Sequence, residues 1–285
     1  MKAIKAITSA FLLISYFYVQ SAAAQGDFKV LSYNVLMGLQ QDSLIQEEYQ
    51  NWVMELDPDI VAYQEMNKFT QAGLEQFAKR HGHPYAVMSK LDGFPVALSS
   101  KYPIVNVQKV VDNMWHAYLY ANVNNIHVFV IHFSPFSYEK RQHEMRQVLA
   151  HAALLPQDEK IMIMGDFNSM SQEDEKYHTQ EMVQPMLERE KKEDHIRNLN
   201  NGKIDYTVMN AIREAGYKDA FLLKNDSLIY TVPTKNYGKP STRRIDFIWT
   251  NPVLSDQLTS STVVQDSITD KISDHYPVVV TFDLE

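Results

Sequence analysis

The stretch that most constrains the fold of this 285-residue chain runs from Ile161 to Met170. It begins with four consecutive apolar residues, a run typical of a strand buried on both faces. Gly165 interrupts the run, and two polar side chains, Asp166 and Asn168, follow two positions apart. In an extended chain such positions project to the same side. The stretch therefore predicts a core strand that ends in a carboxylate and an amide facing one space, with an Asx turn as the alternative.

Short strands separated by a few helices account for most of the remaining sequence. Apolar runs predict strands over residues 28–33, 59–64, 85–89, 94–99, 104–111, 115–123, 126–131, 161–164, 241–250, 261–264 and 278–282. Apolar residues at helical spacing predict helices over 43–56, 69–80, 139–155 and 205–215. Because helices punctuate groups of strands and no linker divides them, we expect one α/β domain of two sheets packed face to face, with the helices outside.

The N-terminus has the features of a secretory signal peptide. Lys2 and Lys5 precede a short apolar run, and Ala22, Ala23 and Ala24 supply the small residues of a cleavage site. We expect a signal peptide over residues 1–24, a domain over 25–285, and export by a bacterium to the periplasm or medium. A membrane anchor is the alternative, although the run is short for a span. The sequence contains no cysteine, which excludes disulfides, thiolate metal sites and a cysteine nucleophile.

Polar side chains suited to a metal or a phosphate follow several of the predicted strands. They are Asn34, Glu65, His132, Asp166 with Asn168, and Asp274 with His275. Each position taken alone has a structural alternative, namely a turn, a loop cap or a half-buried core histidine. The repetition of one pattern at so many strand ends indicates that these residues share one site.

Asp246 differs from the others because it lies inside a predicted strand, between Ile245 and Phe247. A carboxylate with apolar neighbours is expected to be buried on at least one side, and it must then be paired or hydrogen-bonded. A histidine is the natural partner, because the pair fixes the imidazole tautomer and raises its pKa. The sequence therefore predicts an Asp–His pair in the shared site.

Six segments of the sequence, taken in order, resemble the endonuclease/exonuclease/phosphatase superfamily, which includes pancreatic deoxyribonuclease, abasic-site endonucleases, neutral sphingomyelinases and inositol polyphosphate 5-phosphatases. The segments are residues 31–35, 59–65, 131–133, 164–168, 244–248 and 273–278. The Gly-Asp-x-Asn motif at 165–168 and the Ser-Asp-His motif at 273–275 are the most specific. The resemblance implies a four-layer α/β/β/α sandwich with two packed mixed β-sheets, and hydrolysis of a phosphoester with Mg²⁺ or Mn²⁺.

The resemblance also implies roles for the acidic and amide residues. Glu65 and Asn34 would hold the metal, with Asp274 nearby. Hard oxygen ligands without thiolates suit Mg²⁺. Asp166 would orient or deprotonate the attacking water, and Asn168 would fix that water or a phosphate oxygen.

The two histidines are implied to act on the phosphoryl group. His275, paired with Asp246, would stabilise phosphorane-like charge as an imidazolium or act as a base, and His132 would hydrogen-bond a non-bridging oxygen. A basic cluster just before Asp246 is the candidate substrate-binding segment, with a solvated loop as its alternative. The cluster contains Lys235, Lys239, Arg243 and Arg244, interleaved with Tyr237.

The charge and composition of the chain bear on its substrate. Without the two leader lysines, the 27 basic residues become 25 against 35 acidic ones, so the net charge is −10 and the overall field does not attract nucleic acid. Residues 134–138 form an aromatic loop, and residues 171–201 an acidic helical insert expected to shape the substrate entrance. We expect a monomeric exported phosphoesterase acting on a small or lipid-linked phosphate. A DNase-like endonuclease and a non-catalytic binding module remain alternatives.

Overall fold

The computed structural model describes residues 27–239 and 241–284, so the predicted signal peptide at 1–24 lies outside the described residues. The strands are short, and many of them are buried at every position or at all but one, as expected for the interior of a layered protein. In chain order they are β1 (Phe28–Asn34), β2 (Ile60–Gln64), β3 (Tyr85–Met88), β4 (Ala97–Ser100), β5 (Ile104–Val110), β6 (Ala117–Val123), β7 (Ile126–His132), β8 (Lys160–Asp166), β9 (Leu199–Asn200), β10 (Lys203–Ile204), β11 (Lys218–Asp219), β12 (Asp246–Thr250), β13 (Leu258–Val263) and β14 (Val278–Phe282).

The helices lie between groups of strands. They are α1 (Leu36–Leu39), α2 (Ser43–Leu56), α3 (Gln71–Arg80), α4 (Tyr138–Ala152), a 3₁₀ helix (Gln172–Tyr177), α5 (Gln180–Lys192), α6 (Thr207–Glu214), α7 (Pro252–Ser255) and α8 (Thr269–Ile272). Side chains close several N-termini: Asp42 accepts from Leu44 N ahead of α2, and Ser137 accepts from Lys140 N ahead of α4. None of the described helices combines the length and apolarity that a membrane crossing requires.

Two six-stranded sheets form the centre of the domain, with strand orders β13-β14-β1-β2-β4-β3 and β11-β12-β8-β7-β6-β5. The pairs β1–β2 and β7–β8 are parallel, and the other neighbouring pairs in these sheets are antiparallel. The two parallel pairs lie in the middle of their sheets, each flanked by antiparallel strands. The mixed sheets of the predicted sandwich are thereby confirmed.

Alternation along the strands separates three apolar layers. Val30 and Met164 lie in the core between the two sheets. Leu31, the neighbour of Val30, faces the opposite way and packs in the layer with α2 and α3. The outer face of the second sheet is covered by α4 and α6, where Met145 and Ile212 are buried. The described chain is therefore a four-layer α/β/β/α sandwich.

Two sequence predictions about elements need correction. The strand predicted over 241–250 begins only at Asp246, because residues before it leave the sheet and Ile245 N donates to Thr231 Oγ1 at 3.0 Å. The insert over 171–201 is not one helix: a 3₁₀ helix is followed by α5 and then by strand β9. The break falls at Thr179, whose side chain caps α5 by accepting from Met182 N.

Candidate active site

Three strands of the second sheet bring polar side chains to one end of the sandwich. Asp166, the last residue of β8, lies in parallel register with His132 on β7. On its other side, Asp166 lies in antiparallel register with Asp246 on β12. The sequence places these three residues far apart, and the strand pairing makes them neighbours across one row of the sheet.

The first sheet contributes Asn34 from the end of β1 and Glu65 from just after β2. Asn34 Nδ2 donates to Asp166 Oδ2 at 3.1 Å and to Glu65 Oε1 at 3.3 Å, so one amide spans the two sheets. Glu65 Oε2 accepts a hydrogen bond from Met37 N at 2.9 Å. Burial raises the pKa of Glu65, while the Met37 amide opposes that rise. The two sheets therefore converge on one polar point.

Asp246 and His275 form the predicted pair, with Asp246 Oδ2 2.8 Å from His275 Nδ1. The backbone around His275 is held by Ser273: His275 N donates to Ser273 Oγ at 3.1 Å, and Ser273 Oγ donates to Asn34 O at 2.7 Å. Asp274, which lies between Ser273 and His275 in the sequence, is half-buried. The distance from Ser273 Oγ to Asp274 Oδ1 is 3.4 Å. This loop thus fixes the imidazole against the end of β1.

The charges of this group are strongly coupled. Burial alone would lower the pKa of His275, but the charge and hydrogen bond of Asp246, with the charge of Asp166, raise it to about 10. Burial and the Asp246 carboxylate raise the pKa of Asp166, with His275 opposing. His275 Nε2 lies 4.0 Å from Asp166 Oδ2. At neutral pH His275 is therefore an imidazolium beside a carboxylate whose proton affinity is increased, a pairing suited to acid–base chemistry.

His132 has the opposite electrostatic character. It is buried, and its Nε2 lies 3.5 Å from Asp166 Oδ2. Burial, followed by the neighbouring histidines His116 and His275, holds the pKa of His132 well below its usual value. The ring of His132 stacks on that of His116, with centroids 4.1 Å apart and planes 24° apart. His132 is thus a neutral imidazole, able to donate one hydrogen bond.

His116, which stacks on His132, was not predicted from the sequence to lie at the site. It lies just ahead of β6, and its neighbour Ala117 pairs in register with His132. The only signal was one histidine at the start of a predicted strand, which could not be told from a packing residue without the strand register.

Asn168 reaches the site by a route that differs from the prediction. Its φ is +47°, so the chain is not extended there, and Asn168 N donates to Asp166 Oδ1 at 2.8 Å. This is the Asx turn that was the alternative interpretation of the sequence. The prediction that an extended chain places Asp166 and Asn168 on the same side is therefore wrong. Asn168 Nδ2 donates to Phe133 O at 3.0 Å, which holds the amide beside Asp166.

Gly165 makes the approach of these strands possible. Its φ is +140°, and a Cβ at this position would lie 2.0 Å from Ile131 O on the neighbouring strand. No side chain fits there, since contacts under 3.0 Å require the backbone to move. The glycine of the Gly-Asp-x-Asn motif is therefore needed for the close packing that positions Asp166.

Arg244 does not occupy the place expected of a substrate-binding residue. It is only 1% exposed. Arg244 Nη1 donates to Asp219 Oδ2 at 2.6 Å, and Nε donates to Asp174 Oδ2 at 2.9 Å. The guanidinium of Arg244 joins the insert to β11. Because it is buried in these contacts, the prediction that Arg244 binds substrate is wrong. Asp174 is thus an integral part of the domain although it lies in the insert.

Arg243 and Tyr237 keep a more open position. Arg243 is half-buried and lines a cavity beside Asn168. Tyr237 is 41% exposed, and its hydroxyl lies 3.5 Å from Lys271 O. Burial and the charge of Asp274 raise the pKa of the Tyr237 phenol, so this ring lies near the loop of His275. Arg243 can therefore contact a substrate in that cavity, whereas Tyr237 is an exposed ring outside the cavity wall.

The model of the Endonuclease/Exonuclease/phosphatase family matches residues 31–275, which include every catalytic and metal-binding candidate described above. The chain belongs to the endonuclease/exonuclease/phosphatase family. The resemblance stated from the sequence is confirmed by this match. No curated protein matches the chain significantly.

Solved structures of the endonuclease/exonuclease/phosphatase fold are similar to the chain at low identity. An AP endonuclease from Archaeoglobus fulgidus is 20% identical with a TM-score of 0.66, over 90% of this chain and 100% of that chain. The 3′ phosphatase NExo from Neisseria, bound to product DNA hairpin, is 19% identical with a TM-score of 0.66 and the same coverage. A Beutenbergia cavernae endonuclease/exonuclease/phosphatase is 16% identical with a TM-score of 0.65, over 90% of this chain and 71% of that chain. These likenesses establish the shared fold.

Members of the endonuclease/exonuclease/phosphatase family are hydrolases of phosphoesters that typically depend on a divalent metal, and the donor atoms of this site fit such an ion. Glu65 and Asp166 both accept a hydrogen bond from Asn34 Nδ2, so their carboxylate oxygens lie close together, and Asn34 would contribute its Oδ1 to a metal. Asp166, Asp246 and His275 also offer ligand atoms within 4.8 Å of one another, although His275 Nδ1 is already bonded to Asp246. Such an oxygen-rich set suits a hard cation.

Proposed function

We propose that the protein is an exported phosphoesterase that hydrolyses a small or lipid-linked phosphoester by attack of water, with Mg²⁺ or Mn²⁺ held by Glu65 and Asn34. The observation that carries this proposal is the meeting of Asp166 with His275 and Asn34 at the shared end of both sheets, within 4.0 Å and 3.1 Å of Asp166 Oδ2. Burying so many ionisable groups together is costly because each must be desolvated. Such clusters are therefore found mainly at functional sites.

The chain's own residues divide the proton transfers between them. The Asp166 carboxylate, with its raised proton affinity, accepts a proton from water as the water oxygen bonds to phosphorus. The bond between phosphorus and the leaving oxygen breaks, and the electron pair leaves with that oxygen. The His275 imidazolium stabilises the charge that develops on the phosphoryl group, held in place by Asp246.

The neutral side chains of the site fix the phosphoryl group. Neutral His132 donates a hydrogen bond to a non-bridging oxygen, and Asn168 holds a second oxygen or the water. A divalent cation held by Glu65 and Asn34, with Asp274 nearby, would neutralise negative charge on the phosphate when bound. Removing one such donor costs about 10²–10³ in rate in comparable sites.

Turnover of bis-p-nitrophenyl phosphate tests the proposal. The purified protein should release p-nitrophenol with Mg²⁺ or Mn²⁺, stop on addition of a chelator, and recover when the metal is restored. Asp166→Asn, which keeps the size of the side chain, should be nearly inactive with the same melting temperature. A correctly folded protein without metal-dependent turnover would instead be the non-catalytic binding module.

A nuclease is the second candidate, because two of the structures with the same fold are an AP endonuclease and a 3′ phosphatase bound to DNA. Against it stands the formal net charge of −8, which provides no overall attraction to a polyanion. Plasmid nicking should be compared with hydrolysis of phospholipid head groups and sugar phosphates. Cleavage of DNA that is faster than that of small esters, with a steep dependence on salt, would support the nuclease.

Export and the monomeric state are further parts of the proposal. The charged and apolar pattern of residues 1–24 supports cleavage after Ala24. Mass spectrometry of protein from the periplasm or medium of an expressing bacterium should give a chain that begins at Gln25. Light scattering of that protein should give the mass of one chain. An intact leader on cell-bound protein would favour the membrane-anchored alternative.

A further inference from the structure

A cavity of about 260 Å³ opens between the loop that follows Asp166 and helix α5. Asn168 and Ser169 form its edge on the catalytic side. Much of its remaining wall is apolar and consists of Met170, Met186, Ile196, Ile204 and Ile245. The cavity thus borders the candidate active site at Asn168.

Arg141 forms the buried base of this cavity. It is 4% exposed, and its hydrogen-bond acceptors among the described residues are all neutral oxygens. Nε donates to Ser169 Oγ at 3.0 Å, and Nη1 donates to Ser134 O at 3.1 Å and to Asn198 Oδ1 at 2.7 Å. Burial lowers the pKa of Arg141 to about 10, so the group remains charged at neutral pH. The charges of Glu144 and Asp205 oppose that change, but neither carboxylate accepts a hydrogen bond from Arg141 among the described contacts. Its guanidinium can therefore still bind an anionic ligand.

Arg243 and Arg189 line the same cavity. Burial lowers the pKa of Arg243. The charges of Asp166 and Asp246 oppose this decrease, and the positive charge of Arg189 increases it. The two guanidinium groups are therefore close enough to repel each other. Arg189 also donates to Glu193 Oε1 at 3.1 Å, an exposed pair of small energetic value.

Asp205 is the acidic residue in the wall of the cavity, and its carboxylate already has donors. Gln142 Nε2 donates to its Oδ1 at 3.2 Å, and Thr207 N donates to the same oxygen at 3.1 Å. Asn200 Nδ2 donates to Oδ2 at 3.1 Å. Among the residues that line the cavity, three arginines therefore stand against one carboxylate, and the oxygens of that carboxylate already accept other hydrogen bonds.

We propose that this cavity binds a second phosphate of the substrate, at a fixed distance from the phosphoester that is cleaved. The proposal rests on the phosphoesterase function above and narrows its substrate class to esters that carry a further phosphate on a compact apolar or ring-shaped skeleton. Arginine recognises phosphate through paired N–H donors, and the apolar wall accommodates the carbon skeleton. The insert, which bears Arg189 and Met186, is then the part of the chain that selects the substrate.

A matched pair of esters tests this inference. Thymidine 5′-(p-nitrophenyl phosphate) and its 3′-phosphorylated form release the same product and differ by one phosphate. We expect kcat/KM to be at least about tenfold higher for the doubly phosphorylated ester, mainly through KM, which is the effect of one charge-assisted hydrogen-bonded group. Arg189→Gln and Arg243→Gln should each bring the ratio close to one.

Lys192→Gln is the matched control, since it removes one positive charge from the same helix at an exposed position outside the cavity wall. The ratio should be kept in this variant. A ratio near one in the wild-type protein, or an equal loss in Lys192→Gln, would overturn the inference while leaving hydrolysis itself intact.

Binding without turnover separates this inference from the proposed function. In the presence of a chelator, calorimetry should show thymidine 3′,5′-bisphosphate binding at least about tenfold more tightly than thymidine 5′-monophosphate, with Arg189→Gln removing the difference. If this holds but neither ester is cleaved, the phosphate site stands and the phosphoesterase function fails. If both esters are cleaved and the two nucleotides bind equally, the second-phosphate site is wrong.

Discussion

Two buried histidines in different parts of the molecule have pKa values that move in opposite directions. His275, in the candidate active site, is 2.8 Å from Asp246. Burial lowers its pKa, but the charge and hydrogen bond of Asp246, together with the charge of Asp166, raise it to about 10. His81, at the end of α3, is 3.0 Å from Gln50 Oε1 and 3.2 Å from the Tyr63 hydroxyl. Because both partners are neutral, burial dominates and lowers the pKa of His81 to about 3.

The comparison shows that the charge of the neighbour, rather than burial, decides the state of a buried histidine here. His83 continues the neutral group: its Nδ1 is 2.8 Å from Ser99 Oγ, and burial lowers its pKa as well. We call His81 and His83 the outer histidines. They satisfy polar groups in a packed layer, whereas His275 keeps a charge that folding alone would not favour.

The largest expected effect is on activity. His275→Ala should reduce turnover of bis-p-nitrophenyl phosphate by about 10²–10⁴, because a positioned charge and proton donor is lost. His81→Ala should keep the activity of the folded protein and lower its free energy of unfolding by about 1–3 kcal/mol, because Gln50 and Tyr63 lose their buried partner. Kinetics and urea denaturation of both variants measure this. Comparable losses of activity in two folded variants would remove the distinction.

The next effect tests the role of Asp246. Asp246→Asn removes the principal cause that raises the pKa of His275, so burial should prevail and that pKa should fall. Fewer molecules then carry the imidazolium at neutral pH, and kcat should fall by about 10-fold to 10²-fold. The alkaline limb of the pH–rate profile should move to lower pH. If the limb stays in place, a group other than His275 controls it.

The dependence of the free energy of unfolding on acid pH tests the lowered pKa of His81. The unfolded chain takes up a proton on His81 near pH 6.5, whereas the folded chain does so only near pH 3. This contribution to stability is therefore complete above pH 6.5 and is lost as the pH falls toward 3, at up to about 1.4 kcal/mol per pH unit. Gln50→Glu places a carboxylate beside His81 and should make the loss between pH 6.5 and 5 smaller in urea titrations. An unchanged slope would contradict the assignment.

The smallest effect should follow Ser99→Ala. Ser99 Oγ lies 2.8 Å from His83 Nδ1 and 3.2 Å from the Tyr63 hydroxyl, and removal leaves these groups without that partner. The free energy of unfolding should fall by about 1–2 kcal/mol, with activity retained. Thermal unfolding and the ester assay on one preparation are sufficient to check both.

Much of this molecule could be predicted from local sequence. The apolar run before Asp166 and the alternation at 28–33 determine which faces are buried, and these predictions agree with β8 and β1. Polar residues just past the strands gave most of the site, because strand ends that meet at one edge bring their next residues together. The Asp246–His275 pair followed from the cost of burying a carboxylate between apolar neighbours.

What could not be predicted depends on contacts between distant parts of the chain. Arg244 and Asp174 are 70 positions apart, and nothing near either residue indicates that they pair. The stacking of His116 on His132 depends on the register of β6 against β7. The left-handed backbone at Asn168 reflects a local competition between extension and an Asx turn, which the hydrogen bond to Asp166 settles.

Strand β14 pairs with β1, and Phe28 lies opposite Phe282. Strand β1 can therefore complete its pairing only after β14 has been synthesised. His275 precedes β14 by only a few residues. During synthesis, a chain emerging from the ribosome carries Asn34, Glu65 and Asp166 long before it can acquire the imidazolium. Hydrolytic activity should therefore appear in one step late in folding, when β14 inserts between β13 and β1. A nascent or truncated chain that lacks β14 should not hydrolyse phosphoesters in the cell that makes it.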